Sequence, residues 1–411
     1  MRYVLIILGL IASAAAAQPH PQPELFTWPN EYSRANSDPW IAEHHGQILE
    51  MKPKLLVINF SNQLSPDDLE RQTQKLIDAL AESSRYHGFE NEEAPPFLRY
   101  EVFKTVDLRD LDRTKGNCSR SPIKPGIETG INMDYSALYS ERFTQWYDVK
   151  DPDDASRRLS LAEMVDRGLV HEVWFFICVD DWLRCYECIE IKPVYDETFK
   201  KVGDAHRHAG NGEDPDLIWT GRSLRFNGIN HERGTGCAME NLGHSLEGMA
   251  HSNVIPYFKR YFYEFAGFDL DTRYDLPFNS FYPLWGDGKS ILYPEPDVAL
   301  IERDDEYFRL EGYVACGGNV HFPPNGRRHY DMSNDTPVLS TIEDWRIGSG
   351  ENGEDLAKPW TSEVLAPYLE VAPDCMGAWL VYWRQCMPGL MNEQRDDEGK
   401  PMKNWWPFLF Y

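Results

Sequence analysis

One segment of the chain reads Ser223-Leu-Arg-Phe-Asn-Gly-Ile229, then Asn-His-Glu-Arg-Gly-Thr-Gly236, then Cys237-Ala-Met-Glu-Asn-Leu-Gly-His-Ser-Leu-Glu-Gly-Met-Ala-His251. The first part has the length and apolar content of a buried strand. The last part has apolar residues at helical spacing, so it predicts a helix over residues 237–251. A strand that passes directly into a helix is the building unit of α/β proteins.

The same order of strand and helix recurs towards the N-terminus. Short apolar or alternating runs predict strands at residues 55–60, 97–106 and 171–179, and capping residues predict helices that begin after Ser65 and Ser160. This alternation predicts an α/β fold with three layers around a mostly parallel sheet. Ligand sites in such sheets form at the carboxyl ends of the strands, so we expect one pocket wall to carry His231, Glu232 and Arg233.

The pattern divides the chain into four segments. They are a signal peptide at residues 1–17, an N-terminal leader at 18–53, the α/β core domain at 54–267, and a C-terminal lobe at 268–411. The C-terminal lobe is rich in aromatic residues, prolines and turn signals, which favours an irregular structure packed on the core. A shorter segment, His206-Arg-His208, lies among polar residues and glycines and is predicted to be an exposed loop.

The N-terminus predicts export. Arg2 precedes an apolar run at residues 3–11 and the small-residue ending Ala12-Ser-Ala-Ala-Ala-Ala17, which is typical of a secretory signal peptide. No later run has the length of a membrane-spanning helix, so we expect a secreted or periplasmic protein without a membrane span. Eight cysteines in an exported chain predict four disulfides, including one within Cys185-Tyr-Glu-Cys188.

Composition limits the classes of partner. The chain has 411 residues, 42% of them hydrophobic, which is enough for a folded protein with a large core. Its formal net charge of −25 would repel the phosphates of nucleic acids, and no basic patch offsets it. We therefore exclude nucleic acid and expect a small-molecule, glycan or peptide substrate.

The helix predicted over residues 237–251 carries a strip of ligand-type side chains. Glu240, His244, Glu247 and His251 fall within an arc of roughly 60°. Such a strip can bind a metal ion, or it can be the solvated face of an amphipathic helix. No Lys or Arg occurs between Arg233 and Lys259, although solvated faces usually mix both charges. Small residues beside the strip also predict that other parts of the chain, or a substrate, approach it closely.

These features favour an exported metal-dependent hydrolase that uses zinc or another divalent metal. The predicted ligands are His244, Glu247 and His251, with His321 as a remote ligand from a loop rich in proline and glycine. Glu240 is the predicted general base and Arg233 a predicted stabiliser of an oxyanion. The spacing differs from the HExxH motif of zinc peptidases.

Two other functions fit the same residues. A metal-independent glycosidase would pair Glu240 or Glu247 with Glu232 or Glu187 as acid and base, and would stack sugars on the many aromatic rings. A non-catalytic secreted protein would use the aromatic lobe to bind glycan or peptide. Dependence on metal separates the hydrolase from both alternatives.

Overall fold

The structure of the protein is a computed structural model. It describes residues 26–33, 38–111, 118–178, 183–284, 286–303, 305–348 and 355–411. The predicted signal peptide, residues 1–17, lies outside this part of the chain. The boundaries expected for the leader, the core and the C-terminal lobe stay predictions.

The strands of the described residues form one large sheet and three small ones. The large sheet has six strands in the order β4-β3-β5-β8-β6-β7, of which β4, β3, β5 and β8 are parallel and β6 and β7 antiparallel. The strand bounds are β1 (Thr27–Trp28), β2 (Glu50–Met51), β3 (Lys54–Asn59), β4 (Glu101–Asp107), β5 (Glu172–Ile177), β6 (Cys188–Tyr195), β7 (Lys201–Gly210), β8 (Leu224–Asn230), β9 (Ile291–Glu295), β10 (Val298–Arg303), β11 (Glu306–Glu311), β12 (Val338–Ser340) and β13 (Lys358–Trp360).

The helices include every one predicted above, and the capping residues explain where they begin. Ser65 accepts a hydrogen bond from the backbone of Asp68, and Ser160 forms a capping box with Glu163. The bounds are α1 (Asp38–His44), α2 (Pro66–Ser83), α3 (Glu141–Tyr147), α4 (Leu161–Asp166), α5 (Thr235–His251), α6 (Pro256–Ala266), α7 (Leu270–Arg273) and α8 (Gly377–Gln385). Short 3-10 helices lie at His45–Gln47, Ser136–Tyr139, Ser362–Leu369 and Trp406–Phe410.

Both faces of the large sheet are buried at its central strands β3, β5 and β8. On β3, Leu55 and Val57 join one hydrophobic cluster, while Leu56 and Ile58 join the other. This alternation follows from the two-residue period of a strand. The protein is therefore a mixed α and β protein with a mostly parallel six-stranded sheet. The further prediction of three stacked layers stays a prediction.

The C-terminal residues pack against the sheet as an aromatic-rich cluster. Trp379 and Trp383 on α8 are fully buried, and so is Trp405 near the C-terminus. Helix α8 contacts both α2 and α5. Arg225 on β8 connects this region to the sheet, because it pairs with Glu172 at 3.0 Å and donates to the carbonyl of Leu409 at 2.8 Å. A buried guanidinium needs such partners to offset its lost hydration.

Two local predictions are wrong. Residues 206–208 are part of β7, which pairs with β6, so they do not form a loop. The eight cysteines form one disulfide, between Cys237 and Cys375, instead of four. Cys185 and Cys188 are thiols, and the sulfur of Cys188 lies 3.1 Å from the hydroxyl of Ser245. Within the described residues, no helix combines the length and the apolar character needed to cross a membrane.

Candidate functional site

Helix α5 is held by contacts at both ends. Its N-terminal N–H groups receive an external cap, since the backbone N of Cys237 donates to Oδ1 of Asp374 at 3.1 Å. The disulfide from Cys237 joins the same two segments. Near the other end, a Cβ on Gly248 would lie 1.9 Å from the backbone N of Gly210 on β7. The prediction of close approach beside the strip is confirmed.

Three ligand-type side chains meet on the polar side of α5. Glu240, His244 and His321 each offer one atom, and these atoms lie within 4.8 Å of one another. Oε1 of Glu240 is 3.2 Å from Nε2 of His321 and 4.0 Å from Nε2 of His244. Glu240 and His244 are buried, and His321 is half-buried. The structure thus brings the remote His321 to the helix.

Glu247 faces the other nitrogen of His244. Its Oε2 lies 2.9 Å from Nδ1 of His244, and its Oε1 accepts from the backbone N of Val320 at 3.1 Å. Burial alone would lower the pKa of His244, but the bond to Glu247 and the nearby carboxylates outweigh burial and raise it. Burial alone would raise the pKa of Glu247, but His244 lowers it. The contact leaves Nε2 of His244 4.0 Å from Oε1 of Glu240 and 3.6 Å from Oε2 of Glu187.

Tyr330 completes the group around Glu240. Its hydroxyl donates to Oε1 of Glu240 at 2.8 Å and lies 3.4 Å from Nε2 of His321. Burial works to raise the pKa of Glu240, yet the bonds from His321 and Tyr330 and the charge of His244 lower it overall. Oε2 of Glu240 is buried and has no hydrogen-bond partner among the described residues. Orphaned buried carboxylate oxygens are costly and need an explanation.

A second carboxylate approaches His244 from outside the helix. Glu187 precedes β6, and its Oε2 lies 3.6 Å from Nε2 of His244. Its side chain is 37% exposed, and Asn211 donates to the same oxygen at 2.8 Å. Glu187 therefore lies between the buried group and solvent.

The two other residues singled out in the sequence lie elsewhere. His251 is exposed, its Nδ1 bonds to the carbonyl of Glu247 at 2.7 Å, and its ring packs on Tyr263 and Phe268. The structure does not bring His251 to the group around Glu240. Arg233 is exposed in the loop before α5, with Nη2 3.8 Å from the sulfur of Cys375.

Cavities surround this region. One of about 700 Å³ is lined by His231, Glu232 and Arg233 at the carboxyl ends of β5 and β8, as the strand–helix pattern predicts. A second, of about 800 Å³, is lined by Arg233, Tyr330, Met332, Ser333, Cys375 and Met376. A third, of about 290 Å³, includes Glu247, His251, His321 and His329 in its lining. The group around Glu240 thus borders two cavities, through Tyr330 and through His321.

A second cluster with metal-ligand residue types, Cys237, Asp374 and Cys375, is not a metal site. Its two sulfurs are joined in the disulfide and cannot act as thiolate ligands. Asp374 is already engaged as the cap of α5.

No family model matches the chain, and a search of curated proteins finds no relative. The site must therefore be interpreted from its own geometry.

Sequence reasoning did not single out Tyr330, and it considered Glu187 only as a glycosidase residue. Tyr330 lies in the same segment as His321, which the sequence predicts as a ligand. A tyrosine by itself does not predict a metal site. Its backbone φ of +60° is uncommon for a residue with a side chain. Only the fold reveals that this turn aims the hydroxyl at Glu240.

Proposed function

We propose that this protein is an exported metal-dependent hydrolase whose metal ligands are Glu240, His244 and His321. Two imidazoles and one carboxylate are a ligand set of catalytic zinc sites, which keep one position open. The observation that carries the proposal is the convergence of these three ligand atoms within 4.8 Å.

The distances between the ligand atoms of Glu240, His244 and His321 suit a small divalent ion. Bonds of about 2.0–2.2 Å in a tetrahedron put ligand atoms roughly 3.4 Å apart. The measured separations of 3.2 Å and 4.0 Å from Oε1 of Glu240 bracket that value. All three ligand atoms lie within 4.8 Å of one another, so an ion that binds them would draw the side chains closer together.

The orphaned oxygen of Glu240 supports the same fit. Oε2 is buried without a hydrogen-bond partner among the described residues, and a cation held by both oxygens of the carboxylate would give it one.

Roles for the neighbouring residues follow from their contacts. Glu247 orients His244 through Nδ1, as carboxylates do for the ligating histidines of zinc sites. This assignment differs from the roles suggested by helical spacing, because Glu240, the predicted base, becomes a ligand and Glu247, a predicted ligand, orients His244. Glu187, half-exposed and 3.6 Å from His244, is the proposed general base that takes a proton from water. When bound, the metal would polarise the substrate and lower the pKa of water.

The pKa directions weigh against Glu240 or Glu247 as the acid of a glycosidase. A glycosidase needs one carboxylic acid whose pKa is raised, so that it can protonate the leaving group. The pKa values of Glu240 and Glu247 are both lowered. Neither carboxylate in the helix strip is therefore suited to donate that proton.

Export is part of the proposal. The N-terminal sequence has the pattern of a signal peptide, and the bond between Cys237 and Cys375 suits an oxidising compartment. We infer a secreted or periplasmic protein.

Metal content tests the proposal. We expect about one equivalent of zinc or another divalent metal in the oxidised wild-type protein, and its loss in His244→Gln and His321→Gln. His251→Gln is the matched control, because it removes an imidazole from the same helix without touching the three ligands. Mass spectrometry of the dialysed proteins measures the metal. A wild type that fails to retain added zinc would exclude the metal site, and loss of metal in His251→Gln as well as in His244→Gln would favour the spacing-based ligands.

Activity is measured on the same proteins. A panel of peptide, ester and glycoside substrates, assayed with and without a chelator, should contain one that wild type hydrolyses only with metal. Glycoside hydrolysis that the chelator leaves unchanged would favour the carboxylate mechanism.

A further inference from the structure

The cavity of about 800 Å³ differs in charge from the rest of this acidic protein. Its lining comprises Arg233, Tyr330, Met332, Ser333, Cys375 and Met376, with one cation and no carboxylate among these described residues. The whole chain has a formal net charge of −25. An anion is therefore best tolerated where Arg233 provides the nearest charge.

Arg233 is available for a ligand. Its side chain is exposed, and within the described ranges no carboxylate forms an ion pair with it. Its closest polar contact is the 3.8 Å approach of Nη2 to the sulfur of Cys375, which is weak. A guanidinium with unused N–H groups matches the geometry of a carboxylate and can bind it through two hydrogen bonds.

The rest of the cavity wall carries no charged side chain and extends to the group around Glu240. Met332 and Met376 supply flexible thioether side chains that adapt to different apolar groups. Tyr330, on the same wall, is 40% exposed and donates to Oε1 of Glu240. A ligand that fills the cavity would thus contact the phenol that touches the proposed metal ligand.

We propose that this cavity is the substrate cleft and that it binds organic carboxylates, with Arg233 holding the carboxylate and the two methionines contacting an apolar group. The inference rests on the proposed function, since it names the substrate class of that site. It changes the role of Arg233 from a stabiliser of an oxyanion to a specificity-determining residue.

The test compares two probes that differ only in charge, N-acetyl-L-leucine and its neutral amide. Calorimetric titration of the full oxidised protein, metal-free and zinc-loaded, measures both dissociation constants. We expect the acid to bind at least about tenfold more tightly than the amide, a difference of about 1.4 kcal/mol. Arg233 is the only cation in the described lining of this cavity when the metal is absent. The metal-free protein should therefore also bind the acid more tightly than the amide.

Variants of Arg233 test whether this residue causes the preference for the acid over the amide. Arg233→Gln should bind acid and amide equally, and Arg233→Lys should keep part of the preference. Arg328→Gln is the control, because it removes the same charge from an exposed residue outside the cavity lining. Equal binding of the two probes to wild type, no binding of either at millimolar concentration, or an unchanged preference in Arg233→Gln would overturn the inference.

Metal content separates this inference from the proposed function. Zinc retention in Arg233→Gln at the wild-type level, together with loss of carboxylate preference, supports both. If wild type retains zinc but binds the acid and the amide equally, the substrate-cleft inference is overturned and the metal site is not. A preference that depends on Arg233, in a wild type that fails to retain added zinc, supports the cleft and overturns the metal site.

Discussion

Glu247 lies 2.9 Å from Nδ1 of His244, on the side of the imidazole opposite Glu240 and His321. With a hydrogen on Nδ1 donated to this carboxylate, Nε2 carries the lone pair that binds a metal. The other oxygen of Glu247 accepts from the backbone of Val320, next to His321. One carboxylate therefore orients one proposed ligand and the loop that carries another.

This relationship predicts the effect of Glu247→Gln. The amide has one oxygen for two donors, Nδ1 of His244 and the backbone N of Val320, so one donor loses its partner. We expect zinc affinity to fall about 10- to 100-fold while binding persists. Competition with a chromophoric chelator measures the affinity, and His251→Gln should match wild type. An unchanged affinity in Glu247→Gln would remove Glu247 from the site.

Substitution by alanine should have a large effect on stability at one glycine of α5 and a small effect at another. In Gly248→Ala the new Cβ would lie 1.9 Å from the backbone of Gly210, so the helix and β7 must separate. In Gly243→Ala it would meet side chains instead of backbone, Cγ2 of Val320 at 2.8 Å and Nη2 of Arg384 at 3.8 Å, so the helix axis need not shift as far. We expect Gly248→Ala to lower the free energy of unfolding by about 2–4 kcal/mol, and Gly243→Ala to change it by less than about 1 kcal/mol. Urea titrations compare the two variants, and equal losses would contradict the predicted difference in close approach.

The disulfide gives a third prediction. Cys237 and Cys375 are 138 residues apart in sequence, so their bond restricts a long loop of the unfolded chain. We expect the double variant Cys237→Ala, Cys375→Ala to lose about 2–5 kcal/mol of unfolding free energy. A reductant should destabilise wild type by a similar amount and leave the double variant unchanged. A double variant that remains sensitive to reductant would restore the sequence-based expectation of further disulfides.

The α/β core could be predicted because its signals are local. The apolar run of β3, the N-cap Ser65 and the capping box at Ser160 each lie within a few residues of the element they determine. The hairpin of β6 and β7 was missed because β7 is exposed along most of its length and lacks an apolar period. Its pairing with β6 overrides its weak local preference.

The candidate site was predictable only in part. Helical spacing identified Glu240 and His244, and the proline-rich loop suggested His321, but spacing could not decide which residues converge. His251 is seven residues beyond His244, and its own bond to the carbonyl of Glu247 turns it away. Tyr330 reaches Glu240 from another segment, 90 residues along the chain. Such contacts depend on tertiary packing, which local patterns do not encode.

The fourth prediction concerns acid stability. The imidazole of His171 is buried, and its Nδ1 accepts a hydrogen bond from the backbone N of Lys54 at 2.9 Å. Burial lowers the pKa of His171 to about 3, from 6.5 in the unfolded chain. Between these values the unfolded chain binds a proton that the folded protein rejects. The contribution of neutral His171 is therefore complete above pH 6.5 and is lost as the pH falls towards 3.

The expected loss is about 1.4 kcal/mol of unfolding free energy per pH unit within that window. In His171→Asn the amide oxygen can accept the hydrogen bond from Lys54, and the side chain cannot titrate. The unfolding free energy of this variant should therefore fall less steeply than that of wild type as the pH is lowered, by about 1.4 kcal/mol per pH unit. Substitution of the exposed His206 by Asn serves as the control, with an expected slope equal to that of wild type. Urea unfolding at a series of pH values from 4 to 7 gives the slopes. Equal slopes for His171→Asn and wild type would mean that His171 binds its proton in the folded protein as readily as in the unfolded chain.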